Sequence, residues 1–415
     1  MTIPWLAGAW IGVGLIAAVA ARRFGHRRFV GGLALLVLAA ASLFTVRVGV
    51  GHSPLGEAGL SLSREDAGLL VASAVALALC LLLAERIDSV ALVSIGCVGA
   101  AVVLLVSTAS PLLYGVSALL AVLGLSVRWM TSAPGAASLA AGRVAGVGAA
   151  SLVAASVFLP ISAQEPATLA GPALVGGLLV AGVIALVALV PCGGWAAGAL
   201  ACLRAVDIAT WMLLLAPAVL ITAALIPASL PGTGRLAFQD TILVAGLTSA
   251  VWAGAQSLRA GPASRYGRLA IGDLALMAAG IGTGQSVAVT GGLLLIATHL
   301  VAAPLLLQPP RRTLAAPRRL LWLAVSGLPP SPAFWGRLLV LRGCASSGGP
   351  ATVVCLAACG LMTLASVLVV ARGEGGAEAV TAPHQSVLAW GLGMLAVAAS
   401  LMPLLAVHVV FGGAA

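Results

Sequence analysis

The chain has 415 residues, of which 61% are hydrophobic and only 8% are charged, and its formal net charge is +10. Soluble domains carry roughly 25% charged residues, so this composition excludes a soluble enzyme, a nucleic-acid-binding domain and a disordered protein. The apolar runs are long enough to span a bilayer as helices, about 20 residues each. Strands of a membrane β-barrel would instead alternate apolar and polar residues. The sequence therefore predicts an all-α polytopic membrane protein.

Charges, glycines and prolines divide the apolar sequence into fourteen predicted transmembrane helices. In chain order they span residues 4–20, 29–46, 67–84, 89–107, 111–127, 139–160, 171–190, 195–226, 239–257, 267–283, 285–307, 318–345, 351–371 and 386–411. The longest loop between them is too short to form a separate soluble domain.

The arginines between the predicted helices indicate the orientation of the chain. Fourteen lie in loops that follow odd-numbered helices, namely Arg22, Arg23, Arg27, Arg28, Arg86, Arg128, Arg259, Arg265, Arg268, Arg311, Arg312, Arg318, Arg319 and Arg372. Four lie in loops that follow even-numbered helices, namely Arg47, Arg64, Arg235 and Arg342. Cytoplasmic loops carry the excess of basic residues, so we expect both termini to lie outside.

Ionisable side chains inside the predicted helices are candidate functional groups, because charge is costly in hydrocarbon. Arg204 and Asp207 lie three residues apart in the eighth predicted helix and so share a helix face. Two interpretations stay open. The pair is either a titratable carboxylate tuned by a neighbouring cation, as in a proton relay, or an ion pair that neutralises itself and only tolerates burial.

Two further candidates lie in the tenth and eleventh predicted helices. Asp273 lies about one turn into the tenth, after Arg265 and Arg268. It is interpreted either as a proton-path residue or as a carboxylate that caps or pairs near the cytoplasmic end. His299 lies in the centre of the eleventh and is interpreted either as a proton shuttle near neutral pH or as a side chain hydrogen-bonded between helices.

A run of helix-breaking residues stands in the twelfth predicted helix: Gly327, Pro329, Pro330 and Pro332. Proline removes a backbone donor, and a broken helix at membrane depth is tolerated where it is buried in protein or lines a polar cavity. Arg337 lies one turn past the break. We expect it to contact freed carbonyls or a carboxylate, or to act as the fixed cation of an ion path, since arginine does not deprotonate in proteins.

The chain is predicted to hold no metal site and no cofactor of its own. Most of the cysteines lie within apolar runs, where small packing residues are common: Cys80, Cys97, Cys192, Cys202, Cys344, Cys355 and Cys359. Without a redox centre, the chain alone is not expected to be a complete enzyme.

One stretch, SGLPPSPAFWGRLLVL at residues 326–341, resembles the discontinuous twelfth helix of the antiporter-like subunits of respiratory complex I. These subunits recur in energy-converting hydrogenases and in multi-subunit sodium/proton antiporters, and their pattern is roughly G-[IL]-P-P-x-x-G-F-x-[GS]-K, with Lys or Glu at the end. Three more stretches are similar to the family and follow in its order: RLAIGDLALM at 268–277, ATHLVAAPLLL at 297–307 and PCGGW at 191–195, the last before helix eight. The family also has fourteen helices with both termini outside.

The resemblance implies two inverted five-helix repeats, helices four to eight and helices nine to thirteen, each with a broken helix. It predicts N-terminal helices at 1–110, with helix four opening the first repeat. The remainder of that repeat is predicted at 111–226, the second repeat at 239–372 and a C-terminal helix at 386–411.

The ionisable positions of the family are only partly ionisable in this chain. Three of them fall on or near apolar residues, which are Leu120 for the helix-five glutamate, Leu186 for the helix-seven lysine and Ala303 for the helix-eleven lysine. The helix-eight lysine falls on Asp207, the helix-eleven histidine is kept as His299, and the helix-twelve Lys or Glu falls on Arg337. The resemblance therefore implies a retained scaffold with a depleted polar axis.

Three functions stay open. The first is a membrane subunit of a complex I-like, hydrogenase-like or multi-subunit antiporter assembly that contributes to proton or Na⁺ translocation, with Asp207, His299, Arg337, Arg204 and Asp273 as path candidates. The second is a structural subunit of the same kind of complex that no longer conducts, which the missing Glu and Lys positions favour. The third is an unrelated fourteen-helix secondary transporter, although only 4% aromatic residues and two tyrosines leave little to line a substrate pocket.

The resemblance also implies that the chain is one subunit of a redox-driven ion translocase, and it implies partners and a location. The expected partners are other membrane and peripheral subunits of a complex, the lipid bilayer, and protons or Na⁺, with no nucleic acid. The expected location is the bacterial cytoplasmic membrane.

Overall fold

The computed structural model describes residues 3–24, 30–40, 64–84, 87–107, 111–132, 135–164, 170–225, 230, 232–372 and 383–402. Helices make up nearly all of this described part. In hydrocarbon a helix satisfies its own backbone hydrogen bonds, and the long apolar runs of the sequence fold accordingly. The all-α polytopic class predicted from the composition is confirmed.

The helices of the N-terminal half are α1 (Ile3–Phe24), α2 (Val30–Ala40), α3 (Arg64–Leu83), α4 (Ser89–Ser107), α5 (Pro111–Ser132), α6 (Ala136–Gln164), α7 (Ala170–Val187), α8 (Gly193–Cys202), α9 (Ala205–Thr210) and α10 (Ala216–Leu225). A π-helical turn, Trp211–Leu215, joins α9 and α10 into one continuous segment.

The helices of the C-terminal half are α11 (Gly232–Arg259), α12 (Pro262–Gly282), α13 (Ser286–Leu306), α14 (Ala315–Val325), α15 (Pro332–Ser347), α16 (Gly349–Arg372) and α17 (Pro383–Leu401). The last predicted helix, 386–411, is helical as far as residue 401, and its residues 403–411 lie outside the described part.

Nine helical segments of the described chain are long and apolar enough to cross a bilayer. The most apolar are Ser89–Ser107 and Gly349–Arg372, each with a mean hydropathy of 2.6. Shorter apolar helices lie at Val30–Ala40, Gly68–Leu83 and Gly171–Val187. The chain is a multi-pass membrane protein, and the count of fourteen helices stays a prediction.

The chain divides into two compact units, Met1–Ile242 and Leu243–Ala415. In the first unit α1 packs against α4, α4 against α5, α5 against α6, and α6 against both α7 and α8. In the second unit α13 packs against α12 and α15, and α14 packs against α17. The repeat boundaries implied by the resemblance stay predictions.

The first unit contains a broken helix that the sequence analysis placed differently. The single predicted helix at 195–226 is wrong, because α8 ends at Cys202 and a new helix begins at Ala205. The motif PCGGW stands at the start of α8: Pro191 and Cys192 precede the helix, and its last three residues form the first turn. Pro191 lacks a backbone donor, in keeping with the interruption between α7 and α8. The interruption at residues 203–204 contains no proline or glycine. The sequence therefore contains no signal that the helix ends there.

The second unit contains the broken helix that the prolines predict. Residues 326–331 separate α14 from α15. The hydroxyl of Ser331 accepts a hydrogen bond from the Phe334 amide, and Pro332 follows as the first helical residue, so α15 has a regular N-terminal cap. Gly327 has a φ of +75°, a left-handed conformation that glycine adopts without strain.

A close helix crossing positions the functional residues of the second unit. A Cβ on Gly291 of α13 would lie 2.6 Å from the carbonyl oxygen of Gly336 on α15, and a Cβ on Gly336 would lie 3.0 Å from the carbonyl oxygen of Gly291. Small residues at such crossings let two membrane helices approach closely. The crossing holds the start of α15, and with it Arg337, directly against α13.

Candidate functional site

Asp273 lies in the middle of α12, where its side chain is only 1% exposed. It is the twelfth residue of a helix that begins at Pro262. The expectation that it lies one turn into its helix, near the cytoplasmic end, is therefore wrong, whereas the expectation that it pairs with a cation is met by Arg337. The helix starts earlier than predicted because its first turns include charged residues that hydropathy assigned to the loop.

Arg337 holds both oxygens of the Asp273 carboxylate. Its Nε donates to Oδ1 at 3.0 Å and its Nη2 donates to Oδ2 at 3.1 Å. The arginine is 3% exposed, so this is a buried bidentate ion pair. Such a pair fixes the geometry of both partners.

The same guanidinium also donates hydrogen bonds to backbone carbonyls that the break between α14 and α15 leaves without a helical partner. Its Nη1 donates to the carbonyl of Ser326 at 3.1 Å, and its Nη2 donates to that of Val325 at 3.2 Å. Nη1 also donates to the Thr363 hydroxyl at 3.2 Å. Arg337 therefore contacts both freed carbonyls and a carboxylate, as the sequence predicted.

His299 on α13 links Asp273 to Tyr266 on α12. Its Nε2 lies 3.0 Å from Oδ2 of Asp273, and its Nδ1 lies 3.0 Å from the Tyr266 hydroxyl. An ionised carboxylate only accepts, so Nε2 donates to it, and in the neutral imidazole the hydroxyl donates to Nδ1. His299 is therefore hydrogen-bonded between helices, and its Nδ1 remains the position that can take a second proton.

The first unit contains a ladder of alternating charges. Nε of Arg128 donates to Oδ1 of Asp207 at 2.7 Å, and Nη1 donates to Oδ2 of Asp88 at 2.9 Å. Nη1 of Arg204 also donates to Oδ2 of Asp88 at 2.9 Å. Arg204 therefore pairs with Asp88, and the hypothesis of an ion pair between Arg204 and Asp207 is wrong.

The ladder runs from an exposed end to a buried end. The Arg204 and Asp88 side chains are 47% and 33% exposed, whereas those of Arg128 and Asp207 are 4% and 2% exposed. These four residues lie where α5 ends and where α4 and α9 begin, so the ladder descends from one end of three helices. Arg204 is the N-cap residue of α9, and its side chain makes no capping hydrogen bond to that helix.

Asp88 stays ionised at neutral pH. Partial burial raises its pKa, but the amide of Ala91 and the guanidiniums of Arg128 and Arg204 more than compensate, so the pKa lies below the usual range for aspartate. The Ala91 amide donates to Oδ1 of Asp88 at 2.8 Å, an N-terminal cap of α4. The ladder therefore keeps a fixed negative charge at its exposed end.

Three tryptophans close the break in the first unit. The rings of Trp129 and Trp195 are 5.5 Å apart, and those of Trp195 and Trp211 are 5.3 Å apart. The indole of Trp195 donates to the Ala185 carbonyl at 3.2 Å, and that of Trp211 donates to the Leu186 carbonyl at 2.8 Å. Neutral indoles thus donate to the carbonyls at the end of α7. At the break of the second unit, the charged side chain of Arg337 has the corresponding role.

The apolar positions implied by the resemblance do not form a polar site. Leu186 and Ala303 are buried, and Leu120 is 49% exposed on the outward face of α5. Among the described residues, no group of three His, Cys, Asp or Glu side chains is placed to hold a metal ion. The absence of a cofactor stays an expectation.

Three residues of these clusters were not predicted as site residues from the sequence: Arg128, Asp88 and Tyr266. Arg128 was assigned to a loop, although it lies in the last turns of α5, and Asp88 precedes α4 in a short connection. Tyr266 had a usable signal. It lies seven residues before Asp273, which is two helical turns and therefore the same face of α12.

No protein-family model matches the sequence, and no curated protein sequence matches it. Solved structures do match. A chain of respiratory complex I from Thermus thermophilus matches with a TM-score of 0.74 and 18% identity, covering 96% of this chain and 98% of that one. A chain of the archaeal membrane-bound sulfane sulfur reductase matches with a TM-score of 0.78 and 14% identity, covering 97% and 96%. The chain has the antiporter-like subunit fold.

A third solved structure also matches this fold. A chain of the Mrp complex from Dietzia sp. matches all of this chain with a TM-score of 0.83 and 15% identity, although the match spans only 52% of that longer chain. At such identities the likeness concerns the fold, and it confirms the fold implied by the resemblance at residues 326–341.

Proposed function

We propose that this chain is a proton-translocating membrane subunit of a multi-subunit complex, in which His299 and Asp207 take up and release protons. One observation carries the proposal: a titratable imidazole is buried in the membrane, hydrogen-bonded on one side to an ion pair and on the other to a hydroxyl. Ionisable groups inside a membrane are costly and are functional sites by default.

The charges in the second unit are consistent with His299 as the group that takes up the proton. Asp273 and Arg337 neutralise each other, and a carboxylate held by a bidentate guanidinium is stabilised in its ionised form. Arginine does not release its proton. The imidazole is therefore the group in this cluster that can take up and release a proton, and the adjacent carboxylate would stabilise the added positive charge.

Protons fit this site better than Na⁺. A sodium ion needs several oxygen ligands around it, but both oxygens of Asp273 already accept hydrogen bonds from Arg337 and His299. A guanidinium beside the carboxylate also repels a second cation. A proton adds to the existing hydrogen-bond network without displacing any of these groups.

A non-conducting structural subunit is the second candidate. It is favoured by Leu186 and Ala303, which are buried and apolar where the resemblance leads one to expect lysines. If the chain does conduct, protons must pass these two apolar positions on water molecules instead of on side chains. A solitary secondary transporter is less well supported, because the three matching structures are multi-subunit complexes.

The proposal includes partners and a location. Other membrane and peripheral subunits would complete the complex, and the peripheral subunits would supply the redox chemistry. The arginine distribution supports the bacterial cytoplasmic membrane with both termini outside and the exposed end of the Arg204–Asp88 ladder facing the cytoplasm.

Proton uptake into liposomes that contain the native complex tests the proposal. We expect His299→Gln to reduce uptake at least about tenfold, since a positioned proton-transfer group contributes at least that much. His384→Gln is the matched control, because His384 is exposed on α17, and it should leave uptake unchanged. Sodium-free buffer should also leave uptake unchanged.

Two results would contradict the proposal. Normal uptake in both His299→Gln and Asp207→Asn would show that the chain is a structural subunit. A strict requirement for Na⁺ in the wild-type complex would show that sodium is the translocated ion.

A further inference from the structure

Arg128 is shared between two carboxylates that differ in burial. Its Nε contacts Asp207, which is 2% exposed, and its Nη1 contacts Asp88, which is 33% exposed. Separate nitrogens make the two contacts, so either one can persist when the other is lost. This arrangement differs from the second unit, where Asp273 is the one carboxylate that Arg337 contacts among the described residues.

Asp207 has an oxygen that is available for a proton. Its Oδ1 accepts from Arg128, whereas its Oδ2 is buried and makes no hydrogen bond within the described residues. Buried polar atoms are almost always hydrogen-bonded, so an open carboxylate oxygen at this depth points to a ligand. A proton on Oδ2 leaves the existing contact with Arg128 in place.

Protonation of Asp207 raises a problem of charge. Arg128 is itself buried, and a buried guanidinium that loses its only counter-ion is strongly destabilised. Asp88 solves this problem because it remains ionised and keeps its contact with Nη1 of Arg128. Arg204 in turn contacts the same oxygen of Asp88 from the exposed side.

We infer that Asp88 is a positioning residue for proton translocation: it is the second counter-ion that holds Arg128 in place while Asp207 takes up and releases a proton. The inference rests on the proposed function. In it, Asp88 sets the proton affinity of Asp207 in the first unit of the chain. Asp88 itself stays ionised throughout the cycle.

Few other charges face Asp207 within the described residues. Its helix, α9, packs against α3, α4 and α5. Arg128 from α5 and Asp88 at the start of α4 are the charged groups that these contacts bring to it. The Ser132 hydroxyl of α5 lies nearby, but it donates to the Trp129 carbonyl and leaves Oδ2 of Asp207 without a partner in the described part of the chain. Arg204 precedes α9 and reaches Asp207 only through Asp88.

The sign of the effect follows from the shared arginine. If Asp88 is replaced by Asn, the whole charge of Arg128 acts on Asp207 and the negative charge of Asp88 is gone. Both changes favour ionised Asp207, so a lower pH is needed to protonate it. We expect the loss of one charge that shares an arginine with Asp207 to change its proton affinity about tenfold, which is about one pH unit.

Infrared titration of the purified full chain measures this shift. The C=O stretch of a protonated carboxyl that is present in the wild type and missing from Asp207→Asn belongs to Asp207. We expect its midpoint to fall by about one pH unit in Asp88→Asn and to return close to the wild-type value in Asp88→Glu. Asp240→Asn is the control, because Asp240 is exposed on α11, and it should not move the midpoint.

Proton uptake by the native complex supplies a second readout. The pH of half-maximal uptake should shift to lower values in Asp88→Asn and be restored in Asp88→Glu. Equal midpoints in the wild type and in folded Asp88→Asn would overturn the inference, and so would a shift that Asp88→Glu does not restore. The infrared titration needs no transport, so the inference can fail while the proposed function stands, and the reverse also holds.

Discussion

Replacing Asp273 by Asn removes the charge that balances Arg337 and leaves a similar side-chain shape. The guanidinium, 3% exposed, then keeps only neutral acceptors, namely two backbone carbonyls and the Thr363 hydroxyl. Breaking one side of a buried ion pair costs about 3–5 kcal/mol. We expect Asp273→Asn to lower the free energy of unfolding by about that amount.

A double-mutant cycle separates this effect from a general loss of packing. In Asp273→Asn/Arg337→Gln the stranded charge is gone, so the double variant should be more stable than the sum of the single losses predicts, with a coupling energy of about 2–3 kcal/mol. Unfolding in mixed micelles, titrated with a denaturing detergent, gives the four free energies. Arg342→Gln is the matched control on the same helix, where Arg342 is exposed, and it should change stability by less than about 0.5 kcal/mol. Additive losses would refute the buried ion pair.

Three further predictions follow from the local geometry. Gly327→Ala should destabilise the protein by at least about 1–2 kcal/mol in the same unfolding assay, because φ is +75° and a Cβ would contact the neighbouring guanidinium; Gly360→Ala, with open space around its Cβ position on α16, should not. Tyr266→Phe should slow proton uptake severalfold, because it removes the hydroxyl that contacts the imidazole, whereas Tyr114→Phe should be neutral, because the Tyr114 hydroxyl makes no hydrogen bond within the described residues. The pKa of Asp88 is lowered, so its contribution to stability should be present at neutral pH and lost as the pH falls through that lowered value, and Asp88→Asn should lack this step in an acid titration of unfolding.

The sequence predicted what depends on hydropathy and on helix-breaking residues. Long apolar runs can form only helices in a bilayer, and the prolines at 329, 330 and 332 marked the break that precedes Arg337. The expectation that this arginine meets freed carbonyls and a carboxylate followed from chemistry, because a buried guanidinium needs acceptors.

The sequence could not predict which charges pair. Arg204 and Asp207 share a helix face in a regular helix, but the chain is interrupted at residues 203–204 and Arg204 becomes an N-cap residue that contacts Asp88. The partner of Asp207 is Arg128, 79 residues away in the chain. Such pairing depends on which helices pack together. The apolar helices of this chain have similar compositions, so the sequence pattern does not show which of them are neighbours.

The most direct test of proton translocation is a cryo-EM map of the native complex at a resolution that shows ordered water. The account predicts water within hydrogen-bond distance, about 3 Å, of Oδ2 of Asp207, and a hydrated path from Asp207 or His299 to a membrane surface. A dry, apolar surrounding at both residues would contradict proton translocation and leave the chain as a structural subunit.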